Sequence, residues 1–460
     1  MADTKSNPAE LRAAAAAPST AKERLTYLYD DGKYTELDAF ASSGGKLCGA
    51  VTAFGYVGGE PCYAFSQDVS VNSGALNRAQ AEKIAKVYDL AAKTGVPVVG
   101  IYDSCGADLN DGHEALTAYG ELLLAMSNLS GVVPQIAVVA GVCSGTSALL
   151  AESADFTVMS ADAELYASPN SGIKSSADNA AVNGTAAVVA ASDKEAVEAA
   201  KTILAKLPMN NLSAVPAYEF EFPDANNGKD AASLAESICD AGSVTELYPE
   251  WGKASFTALA TLSGAAVGIV ATNKTEAPLT ADDCSKIARF IRTCDAFALP
   301  VITLVDTTGF EGSDETETAG AVRSMAKLAH AYAEATTVKV SVVTGRAYGA
   351  AFITLAGKGA NADLSYAFND AVITPLAPVT AAEFLYHDEL AGAEDVKDAR
   401  SKLAARYAVD EGSPESAAAN GCIDGVIDSA QLRDTLTSAL EILAGKRVSR
   451  LPKKHSNIQL

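Results

Sequence analysis

Apolar and polar positions along this chain change period twice, in the same order. Residues 83–94 carry apolar side chains at helical spacing, Pro97 marks a turn, and Val98–Tyr102 is a continuous apolar run. The pattern returns at 286–305 with Pro300 in the place of Pro97. An amphipathic helix, a proline-marked turn, a buried strand and a glycine-containing loop are the elements each stretch predicts. Set over each other, "KIAKVYDLAAKTGVPVVGIYDSCGA" (83–107) and "KIARFIRTCDAFALPVITLVDTTGF" (286–310) share seven of 25 positions at an offset of 203, Asp103/Asp306 and Gly106/Gly309 among them. With a slip of one residue the match continues. "PQIAVVAGVCSGTSAL" (134–149) lies over "VKVSVVTGRAYGAAFI" (338–353), pairing Gly141 with Gly345 and Gly145 with Gly349, and "SADF" (153–156) echoes "NADL" (361–364). Hairpin patterns open both copies, at 51–65 and 256–270.

A period of that length exceeds any solenoid repeat and means two copies of a whole domain. The Pro-, Asn- and Gly-rich stretch 208–230 reads as the linker, which puts the N-terminal domain at 1–216 and the C-terminal domain at 217–460. Strands alternating with helices in each copy predict an α/β (α+β layered) fold. The Ala run at 13–17 is expected to be helical up to Pro18.

Composition narrows the partners. The 460 residues carry a net charge of −22, which argues against nucleic acid and anionic membrane surfaces. No apolar run reaches the roughly 20 residues of a membrane span, so no direct membrane insertion is expected. The N-terminus lacks a secretion-signal pattern, and the cytoplasm is the expected location. Eight cysteines without a C-x-x-C pair and four histidines make a metal site improbable, so none is assigned.

Candidate chemistry lies in the two glycine turns. A strand that passes through Gly and small residues into a helix exposes backbone N–H groups at the positive helix end. Such donors suit an enolate or a tetrahedral oxyanion, each worth about 2.7–4 kcal/mol in a transition state. Close helix–sheet packing is the better explanation of one such turn taken alone; two matching turns argue for two matching pockets.

The motifs "FSQDVSVNSGALN" (65–77), "NNLSAVP" (210–216), "KIARFIRTCDAF" (286–297), "AYAEATTVKVSVVTGRAYGAAF" (331–352) and "KKHSNIQL" (453–460) together resemble the carboxyltransferase subunit of biotin-dependent acyl-CoA carboxylases, of the propionyl-CoA carboxylase β type. The decarboxylase subunits of sodium-pump complexes share them. The resemblance covers about Arg24 to Leu460 and implies two tandem crotonase-like (ClpP/crotonase superfamily) domains related by internal duplication. It implies an acyl-CoA thioester bound in the N-terminal domain, its enolate held by the N–H groups of Gly145 and Thr146. It further implies biotin at the C-terminal domain, its oxyanion held by Ala350 and Ala351. Gly106, Ala107, Ser144, Gly349, Phe352 and Ile353 are the implied substrate-binding residues. The five methionines include no biotin-attachment triplet, so biotin must arrive on a separate carrier protein. The implied partners are a biotin carboxyl carrier protein with a biotin carboxylase or a membrane decarboxylase subunit, around a homohexamer or other homo-oligomer.

Several residues depart from that family's pattern. Thr146 stands where a second Gly is usual, Asp108 where an Arg is usual, Ile353 where propionyl-CoA members carry Asp, and 170–190 is short. Three alternatives therefore stay open: hydrolysis by the cluster Cys143, Ser144 and Ser147 or a Cys105–His113 dyad; a degenerate subunit without chemistry; and the same transfer run as decarboxylation. Lys83, Lys86, Lys339 and Arg346 fit contacts to CoA phosphates and solvated cations equally well and are not assigned as site residues. The acidic stretch 311–320 reads as a solvated loop, and Asp103 and Asp306 as structural residues turning the loops that follow them.

Overall fold

The computed structural model describes residues 8–43, 46–168, 175–224, 228–360, 362–448 and 451–458. It divides into two units, Met1–Pro216 and Ala217–Leu460. In the first, β1 (Tyr34–Leu37), β2 (Ala50–Val57), β3 (Glu60–Gln67), β4 (Val98–Ser104), β5 (Gln135–Ser144), β6 (Phe156–Ser160), β7 (Glu164–Tyr166) and β8 (Val188–Ala190) form one sheet, ordered β1-β2-β3-β4-β5-β6-β8, with β7 added beside the end of β5. In the second, β9 (Thr245–Leu247), β10 (Phe256–Leu262), β11 (Ala265–Ala271), β12 (Val301–Thr307), β13 (Lys339–Tyr348), β14 (Leu364–Phe368), β15 (Val372–Thr374) and β16 (Gly425–Ile427) repeat that order, with β15 beside the end of β13. In both sheets the first three strands pair antiparallel and the rest parallel. The sheets thus have one topology, as duplication of a crotonase-like domain requires.

Helices cover these sheets for reasons visible in their sequences. The predicted helix of the first copy, α3 (Arg78–Thr94; α1 is Pro8–Ala16 and α2 Thr20–Leu28), starts where Asn77 accepts the Gln80 N–H at 2.9 Å. It ends at Gly95, whose φ of 67° is the left-handed conformation that closes a helix without steric cost. Its buried stripe, Ala81, Ile84, Val87, Tyr88 and Ala91, packs with Phe65, Val98 and Tyr102. The helices that follow include α4 (His113–Leu129), α5 (Thr146–Glu152), α6 (Asp193–Leu204) and α7 (Ala231–Ile238). The second copy's helix, α8 (Ala281–Ala296), opens on a reciprocal capping box between Thr280 and Asp283 and buries Ile287, Ala288, Ile291 and Cys294.

Two readings of charged residues change here. Lys83 and its repeat partner Lys286 lie on the buried side of their helices, where Lys83 pairs with Glu36 at 3.2 Å. Lys286 donates to the carbonyls of Trp251, Gly252 and Ser255 at 3.0, 3.3 and 2.8 Å. Lys339 is buried too, donating to the carbonyls of Tyr332 and Ala335, so neither it nor Lys83 is a solvated cation. Lys86 stays at the surface, paired with Asp38. The acidic stretch 311–320 is not a plain loop either: Ser313 caps a short helix, α9 (Asp314–Thr318), that leads into α10 (Ala321–Glu334). Part of 170–190 lies outside the described residues; the rest holds the helix Ala177–Val182 and strand β8. The stretch 208–224 carries no named helix or strand. Asn210 donates to the Gly95 carbonyl in the first unit, while Tyr218 donates its N–H to Gly264 in the second.

Candidate active site: two bulged strands and their turns

Each sheet contains the same irregularity beside the predicted turn. β4 and β5 run in register to Tyr102 opposite Val139, and pairing resumes with Ser104 opposite Cys143. β12 and β13 do likewise, from Val305 opposite Val343 to Thr307 opposite Ala347. In both, two steps along one strand face four along the other, a bulge of the kind that re-aims the chain beside active sites. Asp103 and Asp306 sit at these bulges. Gly141 and Gly345 are required there, since a Cβ on Gly345 would lie 2.5 Å from the Asp306 carboxyl carbon and one on Gly141 would overlap the Asp103 carboxylate.

The two carboxylates are structural, as expected, but they do not turn the following loops. Ser104 and Thr307 do that, their hydroxyls accepting the N–H of Gly106 at 3.1 Å and of Gly309 at 3.2 Å. Asp103 instead pairs with buried Arg24 at 2.8 Å, and Arg24 donates onward to the Ala140 carbonyl at 2.9 Å. Burial works against the Arg24 charge, but hydrogen bonds to Asp103 and Asp193 outweigh it and hold its pKa above the ordinary value. Asp306 accepts both the backbone N–H and the Nε–H of Arg346 at 2.9 Å, and that pairing raises the Arg346 pKa.

Beyond the bulge of the first copy, Gly145 turns the chain at φ 61° and Thr146 is the first residue of α5. The Gly145 N–H already donates to the Tyr166 carbonyl at 3.0 Å, because β7 runs alongside the end of β5. Gly145 is therefore not an open donor, which corrects the expectation for this residue. Thr146, in the first helical turn, has no backbone acceptor among the described residues, and it is half-buried. The Gly106 loop comes alongside: a Cβ on Gly106 would lie 3.4 Å from the Ser144 carbonyl. Gly106 O and Asp108 N–H pair with Leu76, leaving the Ala107 N–H between them without an acceptor among the described residues.

The second copy follows suit. Gly309 O and Glu311 N–H pair with Leu279, and the Phe310 N–H between them has no acceptor among the described residues. Here the helix α11 (Gly349–Leu355) begins the turn, Gly349 adopting φ 48° with the Pro375 carbonyl 2.8 Å from where its Cβ would be. The two expected donor residues differ in setting: Ala350 is exposed, whereas Ala351 is 1% exposed, so Ala351 is not open in the sense the sequence implied. Phe352 is half-buried and Ile353 exposed on the same helix. Phe310 escaped the sequence reading, although the repeat offset pairs it with Ala107.

The side chains near the first turn are arranged for support. Ser147 is buried, with its hydroxyl 2.7 Å from Tyr119 Oη and donating to Ser104 Oγ at 3.3 Å. Burial pushes the Tyr119 hydroxyl up to about 12 and the Cys143 thiol higher still, so neither ionises near neutral pH. Among the described residues no histidine hydrogen-bonds Cys143, Ser144 or Ser147, so the nucleophile–base contact of a hydrolytic triad is not seen at this cluster. Asp108, 9% exposed, accepts from the N–H and side-chain amide of Asn110 and thus holds its own loop. It borders a cleft of about 770 Å³ whose wall includes Lys22, Lys46, Val51, Asn72 and Lys83. Among the described residues no three His, Cys, Asp or Glu are grouped to hold a metal, and no helix is long and apolar enough to cross a membrane.

One sheet topology built twice, with a bulged strand and a short-helix turn in each, defines a tandem crotonase-like protein. The chain belongs to the carboxyl transferase domain family, which it matches over residues 14–458. It is 32% identical to the methylmalonyl-CoA decarboxylase subunit alpha of Propionigenium modestum over 96% of this chain and 93% of that one. It is 34% identical to the propionyl-CoA carboxylase beta chain of Saccharopolyspora erythraea, over 96% and 90% of the two chains. A crystal structure of transcarboxylase 12S, a hexamer with methylmalonyl-coenzyme A and methylmalonic acid bound, matches with a TM-score of 0.90 at 30% identity, covering 98% of this chain and 94% of that one.

Proposed function

We propose that this chain is the carboxyltransferase subunit of a biotin-dependent complex. It moves a carboxyl group between biotin on a separate carrier protein and the α-carbon of a short-chain acyl-CoA, acetyl- or propionyl-CoA giving malonyl- or methylmalonyl-CoA. The observation that carries the reading is the pair of bulged strands, each ending in open backbone donors, in a chain of the carboxyl transferase family. Residues 1–216 take the acyl-CoA and residues 217–460 the biotin.

On the acyl side the N–H of Thr146, with that of Ala107 across from it, receives the thioester oxygen as it gains negative charge. Gly106 and Ser144 supply the walls, and the neighbouring cleft takes the CoA. On the biotin side the N–H groups of Ala350 and Phe310 face the oxygen, with Ala351 behind them in the same helical turn. Gly349 and Ala350 leave room for a ring, and nothing lies within 4 Å of where a Gly309 Cβ would be. A neutral ureido group whose oxygen takes up charge fits such a donor set, since backbone dipoles stabilise it without a competing cation. Biotin, when bound, supplies the carboxyl carriage and the base, so the chain's own task is orientation and electrostatics.

Direction depends on the partners, because the same donors serve carboxylation and decarboxylation. The relatives' names include both. The partners we expect are a biotin carboxyl carrier protein with a biotin carboxylase, or a membrane decarboxylase subunit, around a homohexamer or other homo-oligomer in the cytoplasm. The test is a reverse assay: the purified chain, a soluble biotin derivative, and malonyl-, methylmalonyl- and glutaconyl-CoA in turn. Biotin-dependent loss of one thioester's carboxyl group supports the reading and names the acyl group. No turnover, with no CoA ester bound, would point to a degenerate structural subunit.

A further inference from the structure

We propose that Asp103 and Asp306 are positioning residues: each locks the bulge that aims one donor turn. The kinetic consequences rest on the carboxyltransferase reading above; the structural ones do not.

Three features carry the inference. The bulge comes first. Its two extra residues separate the regular part of β13 from the turn at Gly349, and likewise β5 from Gly145. A strand advances about 3.3 Å per residue, so losing the bulge would displace the start of the short helix by roughly 6–7 Å. That is far outside hydrogen-bond reach of any bound oxygen. The carboxylate is what occupies the bulge: Asp306 holds the Arg346 N–H from within it, and Asp103 reaches the Ala140 carbonyl through the guanidinium of Arg24.

The second feature is the glycine opposite each carboxylate. Gly345 and Gly141 are the bulge residues that a Cβ would drive into Asp306 and Asp103. Neither has a φ that demands glycine. The space is reserved for the carboxylate.

The third is where the cations come from. Asp103 takes its partner from α2, at Arg24; Asp306 takes its partner from the bulge itself, at Arg346, where the first copy has Val142. The anion keeps its place in both copies while the cation is supplied from unrelated points of the chain. A partly buried carboxylate without a partner is costly, so each copy has had to find one. What the two copies share is the carboxylate, the glycine and the bulge, and all three lead to the turn.

The test uses the full chain and the biotin-dependent decarboxylation assay. Asp306→Ala is expected to lower kcat at least tenfold while KM for the acyl-CoA stays within twofold, because the acyl-side turn belongs to the other copy. Gly345→Ala should do the same. Their combination should lose no more than the worse single variant, since removing the carboxylate makes room for the methyl. Asp306→Asn, of the same shape, should recover part of the loss, and it replaces the alanine variant if that does not fold. Unchanged kcat in folded variants, or losses that multiply in the double variant, would overturn the proposal. Hydrogen exchange supplies a readout independent of activity. In Asp306→Ala, amides 346–351 should exchange at least tenfold faster while those of 339–343 hold their rate. Unchanged exchange at 346–351 overturns the proposal whether or not the chain turns over any thioester. Faster exchange in a chain whose wild type is inactive supports the positioning role and counts against the carboxyltransferase reading alone.

Discussion

Thr146→Pro removes one backbone N–H and very little else. Thr146 is the first residue of α5, where proline is best tolerated because that N–H has no intrahelical partner. The residue before a proline is pushed out of the α region, and Gly145 at φ 61°, ψ −127° is already outside it. With the Gly145 N–H bonded to Tyr166, the Thr146 N–H is the donor that this turn offers first. One preorganised donor is worth about 2.7–4 kcal/mol of transition-state stabilisation. At 1.36 kcal/mol per decade, kcat for biotin-dependent decarboxylation should fall by roughly two to three orders of magnitude. Thr146→Gly, which keeps the N–H, should stay within a few-fold of the parent, and both variants should unfold near the parental temperature. A Thr146→Pro chain that is folded and within tenfold of the parental rate would refute the assignment of this donor.

Three further outcomes follow from the packing. Ser147→Ala strips a buried hydroxyl that Tyr119 and Ser104 share, costing about 1–3 kcal/mol in urea unfolding; a nucleophilic serine would instead abolish turnover with stability intact. Burial brings Lys286 down to about 8, so between that pH and its unfolded value near 10.5 the unfolded chain binds more protons and stability rises with pH. The difference in unfolding free energy between parent and Lys286→Met should therefore grow across pH 8–10, by at most about 1.4 kcal/mol per unit; a gap independent of pH would contradict the assignment. Gly100→Ala places a methyl 2.5 Å from the Phe65 ring and should destabilise by about 1–3 kcal/mol, read as a lowered midpoint with an unchanged m-value.

The duplicated architecture could be read from Pro97 and Pro300, the apolar runs after them and the paired glycines, because each of those signals is local. The donor set could be read only in outline. Gly145 loses its N–H to Tyr166, some 20 residues onward in a three-residue strand without a pattern of its own. Ala351 is buried by what packs over its helix, which no local pattern reports. Lys83 and Lys339 look like solvated cations until the third dimension brings Glu36 to one and two backbone carbonyls to the other. Asp103 and Asp306 stand out as strand-end acids, but a bulge is a relation between two strands and leaves no signature along either one.

Two copies of one topology in a single chain create a folding hazard, since a central strand of one copy could seek neighbours in the other. Here the cores have diverged where such a mistake would begin. Gly100 lies opposite Phe65, whose ring fills the space a side chain would take, while Thr303 at the repeat position lies opposite Val270 and bonds Tyr332 through its hydroxyl at 2.9 Å. An exchanged pair would force the Thr303 side chain into the Phe65 ring, or leave a void between Gly100 and Val270. The outermost strands, β1, β8, β9 and β16, are only three or four residues long and offer little template for capture. Sequence drift between the halves thus guards the chain against misassembly with itself.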